Sequence, residues 1–322
     1  MKSILRGRHY LLLISLLLLS LILSACGQTA ETSGNKKEIN IGYQKNGTTL
    51  SLKNKQALQK DLEKEGYEVK WSEFNTGSSI LEALNARSID FATAGDIPSI
   101  FALSKGSDFK YIASEPSSPA SQGILVGKDS HIKSVKDLKG KKIAFNKASI
   151  SQYLLTQSLH SVGLSIDDVE PVFLNPPDAS VAFEQGEVDA WVVWDPYLTV
   201  SESKGNTILS DIPNVPYRGF YFTTTEFAEE HPELVEKFVE HLAQIGKEID
   251  QNPVEAAKLL NKETNIPQET WEKVLTKKKS DVNYMDQQVV QDLQAQADNL
   301  YKIGLTDKNV EIKDYVWTQE DK

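Results

Sequence analysis

The residues with the clearest chemical potential lie in one stretch, Phe183–Tyr197, with the sequence FEQGEVDAWVVWDPY. Its pattern predicts the end of a helix, a glycine stop and a short buried strand, Ala190–Val193. Trp191, Trp194 and the carboxylate of Asp195 follow one another to the end of that strand, where Asp195 can cap a new helix. Ligands of α/β sheets bind beyond the carboxyl ends of the strands. The stretch therefore indicates one wall of a binding site, and core packing with an ordinary helix cap is the plain alternative.

Other strand-to-helix junctions bring small or capping residues to a helix start. Thr93–Pro98 follows one predicted strand, and Lys147–Ser151 follows another. Unpaired backbone N–H groups and the positive end of the helix favour an anion at such places. With the turn after the first strand and the stretch above, the candidate ligand-binding residues are Gln44, Gly95, Asp96, Ser149, Ile150, Ser151, Trp191, Trp194 and Asp195. Asp96 and Asp195 would repel an anion unless their carboxylates point into the caps, and a purely structural capping role is equally open.

A permanent oxyanion such as a sulfonate suits these donors, because it stays ionised near neutral pH and needs N–H and O–H groups rather than an acid–base pair. Aromatic side chains could enclose its apolar tail, with core packing as the alternative for each; the candidates are Tyr43, Phe74, Tyr153, Trp191, Trp194 and Tyr197. A taurine-like ligand would also need a carboxylate for its ammonium group, and Asp195 or Asp96 could supply it.

The elements that position these residues alternate between strand and helix. The predicted strands are Ile39–Tyr43, Tyr67–Trp71, Ile89–Thr93, Lys142–Phe145, Val169–Leu174 and Ala190–Val193. The predicted helices among them are Ser51–Glu65, a helix that a capping box at Ser79–Glu82 opens, Asp96–Ser104, Ser151–Val162 and Asp178–Gln185. This alternation predicts a parallel α/β sheet. Four amphipathic helices follow: Glu226–Asp250, Pro253–Lys262, Pro267–Thr276 and Asp286–Ile303.

Two extended, glycine-bearing segments, Gly123–Gly127 and Tyr217–Thr223, interrupt the alternation. If they are crossovers, lobe one comprises residues 38–125 plus 223–322, and lobe two comprises residues 126–222. Two lobes joined by two strands make a hinged clamp, an architecture that encloses a ligand.

The first 25 residues are typical of a signal peptide. A positively charged start precedes the aliphatic run Leu11–Leu23, whose 13 residues are too few for a transmembrane helix. The next residues, Leu23–Gly27 (LSACG), resemble the lipobox of bacterial lipoproteins, in which the cysteine is acylated and becomes the mature N-terminus. The resemblance implies a lipid anchor at Cys26 on the extracytoplasmic side of the cell membrane. Residues 26–37 would form a flexible tether.

Composition excludes several classes of protein. The formal net charge of −10 falls to −13 without the signal peptide, and such an acidic chain argues against nucleic acid as a partner. Cys26 is the only cysteine, so an internal disulfide and a cysteine nucleophile are absent once it is lipidated. The histidines show no metal-ligand spacing, and no phosphate-loop motif is present. We expect no catalytic residue, no metal and no cofactor.

Several runs, in order and at sensible spacing, resemble the aliphatic sulfonate-binding proteins of ABC importers. They are IGYQK (Ile41–Lys45), KWSEF (Lys70–Phe74), EALN (Glu82–Asn85), TAGDIPSIF (Thr93–Phe101), SVKDLKGKKIAF (Ser134–Phe145) and FEQGEVDAWVVWDPYL (Phe183–Leu198). The resemblance implies a two-lobed type II periplasmic-binding-protein fold with two crossover strands and a C-terminal helical segment. It places in the cleft Gln44, Gly95-Asp96, Ser149–Ser151 and Trp194-Asp195. Ala148 stands where the related pattern has glycine, which adds a Cβ close to the ligand's approach.

The function that this resemblance implies is capture of a small organosulfonate by a monomeric, lipid-anchored protein that delivers it to an ABC permease and its ATPase. The same fold also serves binders of taurine, nitrate or pyrimidine precursors, and a few enzymes. A sensory lipoprotein that hands its ligand to a receptor is a further alternative.

Overall fold

The computed structural model describes residues 37–45 and 47–319. The predicted signal peptide, Cys26 and nearly all of the tether lie outside these residues. The strands are β1 (Lys37–Tyr43), β2 (Tyr67–Glu73), β3 (Phe91–Gly95), β4 (Lys110–Ser114), β5 (Gln122–Val126), β6 (Lys142–Phe145), β7 (Glu170–Phe173), β8 (Ala190–Trp194), β9 (Thr207–Ile208) and β10 (Gly219–Thr223). The helices are α1 (Gly47–Lys55), α2 (Ala57–Lys64), α3 (Gly77–Asn85), α4 (Asp96–Ser104), α5 (Ile150–Ser161), α6 (Pro176–Glu184), α7 (Tyr197–Ser203), α8 (Thr225–Glu230), α9 (Pro232–Gln251), α10 (Pro253–Thr264), α11 (Gln268–Lys277) and α12 (Gln287–Lys302).

These strands form two five-stranded sheets, with the orders β2-β1-β3-β10-β4 and β7-β6-β8-β5-β9. β1 is parallel to β3, and β6 is parallel to β7 and β8. β10 is antiparallel to β3 and β4, and β5 is antiparallel to β8 and β9. The α/β prediction is confirmed, but the prediction of a parallel sheet is wrong, since both sheets are mixed. The reason is that β5 and β10 follow passages between the sheets rather than the helical crossovers that join parallel neighbours.

The chain changes sheet twice between β4 and β10. It leaves the first sheet after β4 and enters the second at β5, which leaves residues 115–121 as the passage. It returns between β9 and β10, over residues 209–218. The predicted crossover segments lie a few residues later, mostly inside β5 and β10. The lobe boundaries that were based on them stay a prediction.

Local differences from the predicted helices have conformational causes. The single helix predicted over Ser51–Glu65 is two helices, because Gln56 adopts a left-handed conformation with φ 56°. Helix α3 begins at Gly77 rather than at Ser79, since the side chain of Thr76 accepts the hydrogen bond from the Ser79 N–H at 3.2 Å. The long helix predicted from Glu226 is divided at His231, whose ψ of 51° is not helical.

The core joins the two sheets. One cluster of buried side chains includes Tyr111 and Phe222 from the first sheet, Phe145 and Val192 from the second, and Leu293 of α12. Leu293 of α12 thus belongs to one core that includes side chains from both sheets. In the described part of the chain, no helix is both long enough and apolar enough to span a membrane.

Candidate functional site

Two adjoining cavities lie where the carboxyl ends of β1, β3 and β8 meet. Their volumes are about 80 Å³ and about 20 Å³. Both are lined by Gln44, Gly95, Trp194 and Tyr217. Gln44 and Gly95 follow or end strands of the first sheet, whereas Trp194 ends a strand of the second. The shared wall is thus assembled from both sheets.

The smaller cavity brings together most of the predicted donors, since Ser149 and Ile150 complete its lining with Gly77 and Pro98. Ser149 caps α5: its Oγ accepts a hydrogen bond from the Ser151 N–H at 3.1 Å and donates to the Asn146 carbonyl at 2.6 Å. The first N–H groups of a helix have no intrahelical acceptor. Among the described residues, none of the hydrogen bonds of this turn uses the N–H of Ile150. A backbone donor at a positive helix end therefore lies at the wall of this cavity.

Ala148 keeps a conformation that glycine prefers. Its φ is 53°, in the left-handed region. Its N–H donates to Gln152 Oε1 at 2.7 Å, and its carbonyl oxygen accepts a hydrogen bond from Ser78 Oγ at 3.4 Å. Ser78 belongs to α3, which packs on the first sheet, so this turn also connects the two halves of the cavity wall.

Asp96 is fully buried and lies outside the residues that line either cavity. Its Oδ1 accepts from the Ile97 N–H at 2.9 Å, and its Oδ2 accepts from the Arg218 N–H at 3.1 Å and Gln296 Nε2 at 3.0 Å. Burial raises the pKa of its carboxyl to about 6, although the hydrogen bonds oppose the shift. The prediction that Asp96 contacts the ligand is therefore not supported, because its carboxylate serves α4, residue 218 and α12.

The two tryptophans of β8 have different surroundings. Trp194 is half-buried and lines both cavities. Trp191 is 1% exposed and packs against Phe183 and Tyr197, at ring-centroid distances of 5.9 Å and 6.2 Å. Residues an odd number apart point to opposite faces of a strand, which explains the difference. Trp191 is a core residue and lines neither cavity, so its predicted contact with a ligand stays a prediction.

Of the remaining candidate residues, some line a cavity and others do not. Ser151 is 1% exposed and is absent from the lining of both cavities. Phe74 and Tyr197 line the larger cavity, as the sequence predicts, whereas Tyr43 and Tyr153 lie outside both linings.

Asp195 also lines the larger cavity and caps α7. Its Oδ1 accepts hydrogen bonds from the Thr199 N–H at 3.0 Å and from Thr199 Oγ1 at 2.6 Å. Burial raises the pKa of its carboxyl, and the positive charge of Lys277, 4.0 Å from Oδ2, opposes the shift. Asp195 is thus the one predicted carboxylate that reaches the cavity.

The C-terminal helices contribute a wall that sequence reasoning missed. Trp271, Val274 and Leu275 of α11 line the larger cavity, although their spacing indicates only a core-facing stripe. Lys278 also lines the cavity and pairs with the buried carboxylate of Glu115, which accepts further bonds from Thr48 Oγ1 and Tyr221 OH. Burial alone would raise the pKa of Glu115, but Lys278 and these hydrogen bonds hold it below the ordinary value. No local sequence signal pairs residues so far apart along the chain.

The donor set of the cavities fits an organic anion rather than a metal. Within residues 37–45 and 47–319, no group of three or more His, Cys, Asp or Glu side chains is placed to hold a metal ion. The polar groups of the smaller cavity are an amide side chain, a hydroxyl and backbone N–H groups, beside the ring of Trp194.

Comparison with known proteins identifies the family. Residues 62–256 match the sequence model described as NMT1/THI5 like. A protein of Escherichia coli (strain K12), named as an aliphatic sulfonates-binding protein, is 34% identical over 300 residues, which cover 92% of this chain and 93% of that protein. This chain belongs to the NMT1/THI5-like family.

Further relatives of this chain are also sulfonate-binding proteins by name. A Bacillus subtilis (strain 168) protein, also named as an aliphatic sulfonates-binding protein, is 35% identical over 310 residues, covering 94% of this chain and 93% of that protein. The solved alkanesulfonate-binding protein SsuA from Xanthomonas axonopodis pv. citri, bound to MOPS, superposes with a TM-score of 0.80 at 32% identity over 87% of this chain and 98% of that one.

These relatives confirm the predicted resemblance and the two-lobed type II periplasmic-binding-protein fold. They are binding proteins, and this family member is accordingly a solute-binding protein and not an enzyme.

Proposed function

We propose that the protein captures a small aliphatic sulfonate between its two sheets and delivers it to the permease and ATPase of an ABC importer. The observation that supports this most directly is the meeting of Gln44, Gly95, Ser149, Ile150 and Trp194 at the smaller cavity. Those groups offer hydrogen-bond donors and an aromatic face to an anionic headgroup. The larger cavity then receives the organic tail.

The size of the larger cavity favours an alkanesulfonate over nitrate as the ligand. Nitrate has no tail and would leave about 80 Å³ of partly aromatic space unfilled. An alkanesulfonate brings apolar atoms to Phe74, Trp194 and Trp271, where their removal from water stabilises the complex.

A thermal-shift screen followed by calorimetry tests the proposal. We expect short alkanesulfonates to stabilise the protein, by about 2.7 kcal/mol at a concentration of 100 times the dissociation constant. Nitrate and a pyrimidine should leave the melting temperature unchanged. Stabilisation by nitrate or by the pyrimidine, with none by any sulfonate, would reject the assignment.

Lipid anchoring at Cys26 is part of the proposal, on the extracytoplasmic side of the cell membrane. The lipobox-like LSACG and the aliphatic run before it support it. Changing Cys26→Ser removes the thiol that takes the diacylglyceryl group, so the variant should leave the detergent-soluble membrane fraction or keep its signal peptide. A variant that is processed and partitions with membrane lipid like the wild type would contradict the anchor.

A further inference from the structure

Tyr217 lies near the end of the second passage between the sheets, and the sequence pattern marks it only as the start of an extended segment. In the structure it lines both cavities, together with Gln44, Gly95 and Trp194. A ligand with its headgroup in the smaller cavity and its tail in the larger one passes these shared residues. Tyr217 is therefore placed where the two parts of such a ligand join.

The hydroxyl end of the Tyr217 ring lies at this shared wall. A Cβ added at Gly95 would be 3.3 Å from Cε2 of Tyr217. Cε2 is bonded to the ring carbon that carries the hydroxyl, so this end of the ring lies beside Gly95. Because Gly95 lines both cavities as well, the phenol is next to the space that a ligand would occupy.

The Tyr217 hydroxyl is open to a ligand. Tyr217 is half-buried, and within the described ranges no group bonds to its hydroxyl. The buried polar atoms that lack a partner do not include this oxygen, so it keeps accessible surface. By contrast, the hydroxyls of Tyr111, Tyr153 and Tyr221 each bond to another side chain. Tyrosine hydroxyls in such surroundings normally have a partner, and that of Tyr217 can take one from the ligand.

The surroundings of Tyr217 keep its hydroxyl protonated. Burial raises the pKa of this hydroxyl above its ordinary value, and the negative charges of Asp96, Glu115 and Asp195 add to the shift. The group is thus a neutral O–H at any physiological pH. It can donate a hydrogen bond to an anion and adds no negative charge that would repel one.

Hydrogen bonds on both sides of Tyr217 fix its backbone. Its own carbonyl accepts from the Ser118 N–H of the first passage at 2.8 Å. The preceding carbonyl accepts from Gln296 Nε2 at 3.1 Å, and the following N–H donates to Asp96 Oδ2 at 3.1 Å. The ring is therefore held in place before a ligand arrives, which lowers the entropy cost of using it in binding.

We propose that Tyr217 is a ligand-binding residue whose hydroxyl donates a hydrogen bond to the anionic headgroup at the wall shared by the two cavities. This inference rests on the proposed function. The headgroup then meets donors from three parts of the fold: the Gln44 amide after β1, the Ile150 N–H at the start of α5, and the Tyr217 hydroxyl from the second passage. A sulfonate has three oxygens that can accept these bonds.

Tyr217→Phe tests the donor, since it removes the hydroxyl and keeps the ring. Calorimetry with ethanesulfonate and with 1-butanesulfonate compares two ligands that share a headgroup and differ in their tails. The variant should bind both more weakly by the same factor, about tenfold, the size expected for one hydrogen bond to a charged group.

Tyr301→Phe is the matched control, because it makes the same chemical change at a residue that is 50% exposed at the end of α12. Its affinity for both sulfonates should equal that of the wild type. Urea unfolding of Tyr217→Phe should give the wild-type midpoint, because the lost hydroxyl bonds to no described group.

Each other outcome would overturn the assignment of Tyr217. Wild-type affinity of Tyr217→Phe for both ligands would show that the hydroxyl makes no bond to the ligand. A loss confined to 1-butanesulfonate would mean that the hydroxyl contacts the tail and not the headgroup. A loss of affinity accompanied by a lower urea midpoint would show a structural role instead. Failure of the wild type to bind either sulfonate would overturn the proposed function, and this donor with it.

Discussion

Asp96 and Asp195 are buried carboxylates at similar strand-to-helix junctions, and their hydrogen bonds give them different roles. Asp96 accepts three bonds that use both of its oxygens. Asp195 accepts two bonds at Oδ1 and none at Oδ2. Asp96 is accordingly a structural centre that joins α4, residue 218 and α12, whereas Asp195 lines the larger cavity.

Asp96 should make folding stability fall as the pH rises. Its folded pKa of about 6 lies above the ordinary 3.8, so between these values the unfolded chain releases the proton first. The protonated form is thus favoured in the folded state, and stability declines by about 3 kcal/mol between about pH 4 and pH 7. Urea unfolding of the wild type and of Asp96→Asn over this pH range gives the free energy of unfolding of each protein. The difference between their pH dependences is the contribution of Asp96. Parallel curves would contradict it.

Trp194 and Trp191 should respond to substitution in opposite ways. Trp194→Ala removes an aromatic wall shared by both cavities and should weaken sulfonate binding by about 1–3 kcal/mol. Trp191→Phe, in the core between Phe183 and Tyr197, should lower the free energy of unfolding and leave affinity unchanged. Calorimetry and urea unfolding of both variants distinguish these effects. Unchanged affinity in a folded Trp194→Ala protein would reject its role in binding.

At the scale of the elements, α9 fixes the segment that follows α11. A Cβ added at Gly246 of α9 would lie 1.9 Å from the Ser280 carbonyl oxygen and 2.9 Å from its carbonyl carbon. The helix and this segment therefore pack in direct backbone contact, which only glycine permits. Ser280 and Lys278 line the larger cavity, so this contact also sets the position of its wall.

Gly246→Ala should consequently destabilise the protein by more than about 2 kcal/mol, because a backbone carbonyl in a packed segment cannot move aside as a flexible side chain can. Gly127→Ala is the matched control, since a Cβ there meets nothing within 4 Å. Urea unfolding compares the two. Equal midpoints for the two variants would show that the close approach at Gly246 is relieved without cost.

At the scale of the whole molecule, the two sheets are joined by the two passages of the chain. Side-chain contacts between helices that precede or follow different sheets add to this connection. Ser78 Oγ reaches the Ala148 carbonyl at 3.4 Å, and Asn299 Oδ1 of α12 accepts bonds from Tyr153 OH at 2.9 Å and Gln157 Nε2 at 2.8 Å. Lys277, the last residue of α11, donates to Thr199 of α7. Helix α11 therefore forms a cavity wall, and its last residue is hydrogen-bonded to α7, the helix that follows β8 of the second sheet.

Lys277→Met should remove the hydrogen bond between α11 and Thr199 of α7 and increase the rate of ligand dissociation. We expect the dissociation rate of 1-butanesulfonate to rise about twofold to fivefold, in line with the modest energy of a partly exposed ionic contact. Lys273→Met, on the exposed face of the same helix, should have no effect. Stopped-flow tryptophan fluorescence gives both rates. Equal rates in the two variants would show that closure does not depend on this contact.

The sequence by itself determined the elements and much of the site. Helix α4 begins and ends at the predicted residues, and most other elements lie within a few residues of their predictions, because apolar periodicity, prolines and glycines act locally. Gln44, Gly95, Ser149, Ile150 and Trp194 meet at one cavity, as the rule for strand ends and helix starts predicts. Capping chemistry and strand ends are properties of short segments, so one chain is enough to find them.

Only the tertiary structure decided which of those residues face the cavity and what completes its wall. In the folded chain Trp191 is buried in the core, and Asp96 accepts a hydrogen bond from Gln296, 200 residues away. It brings Trp271 and Lys278 of the C-terminal region to the site, and it turns β5 and β10 antiparallel. Such outcomes depend on the packing of distant segments, which the local pattern of residues does not encode. The surroundings of Asp195 Oδ2 are likewise decided by the tertiary structure, because the neighbouring residues come from different parts of the chain.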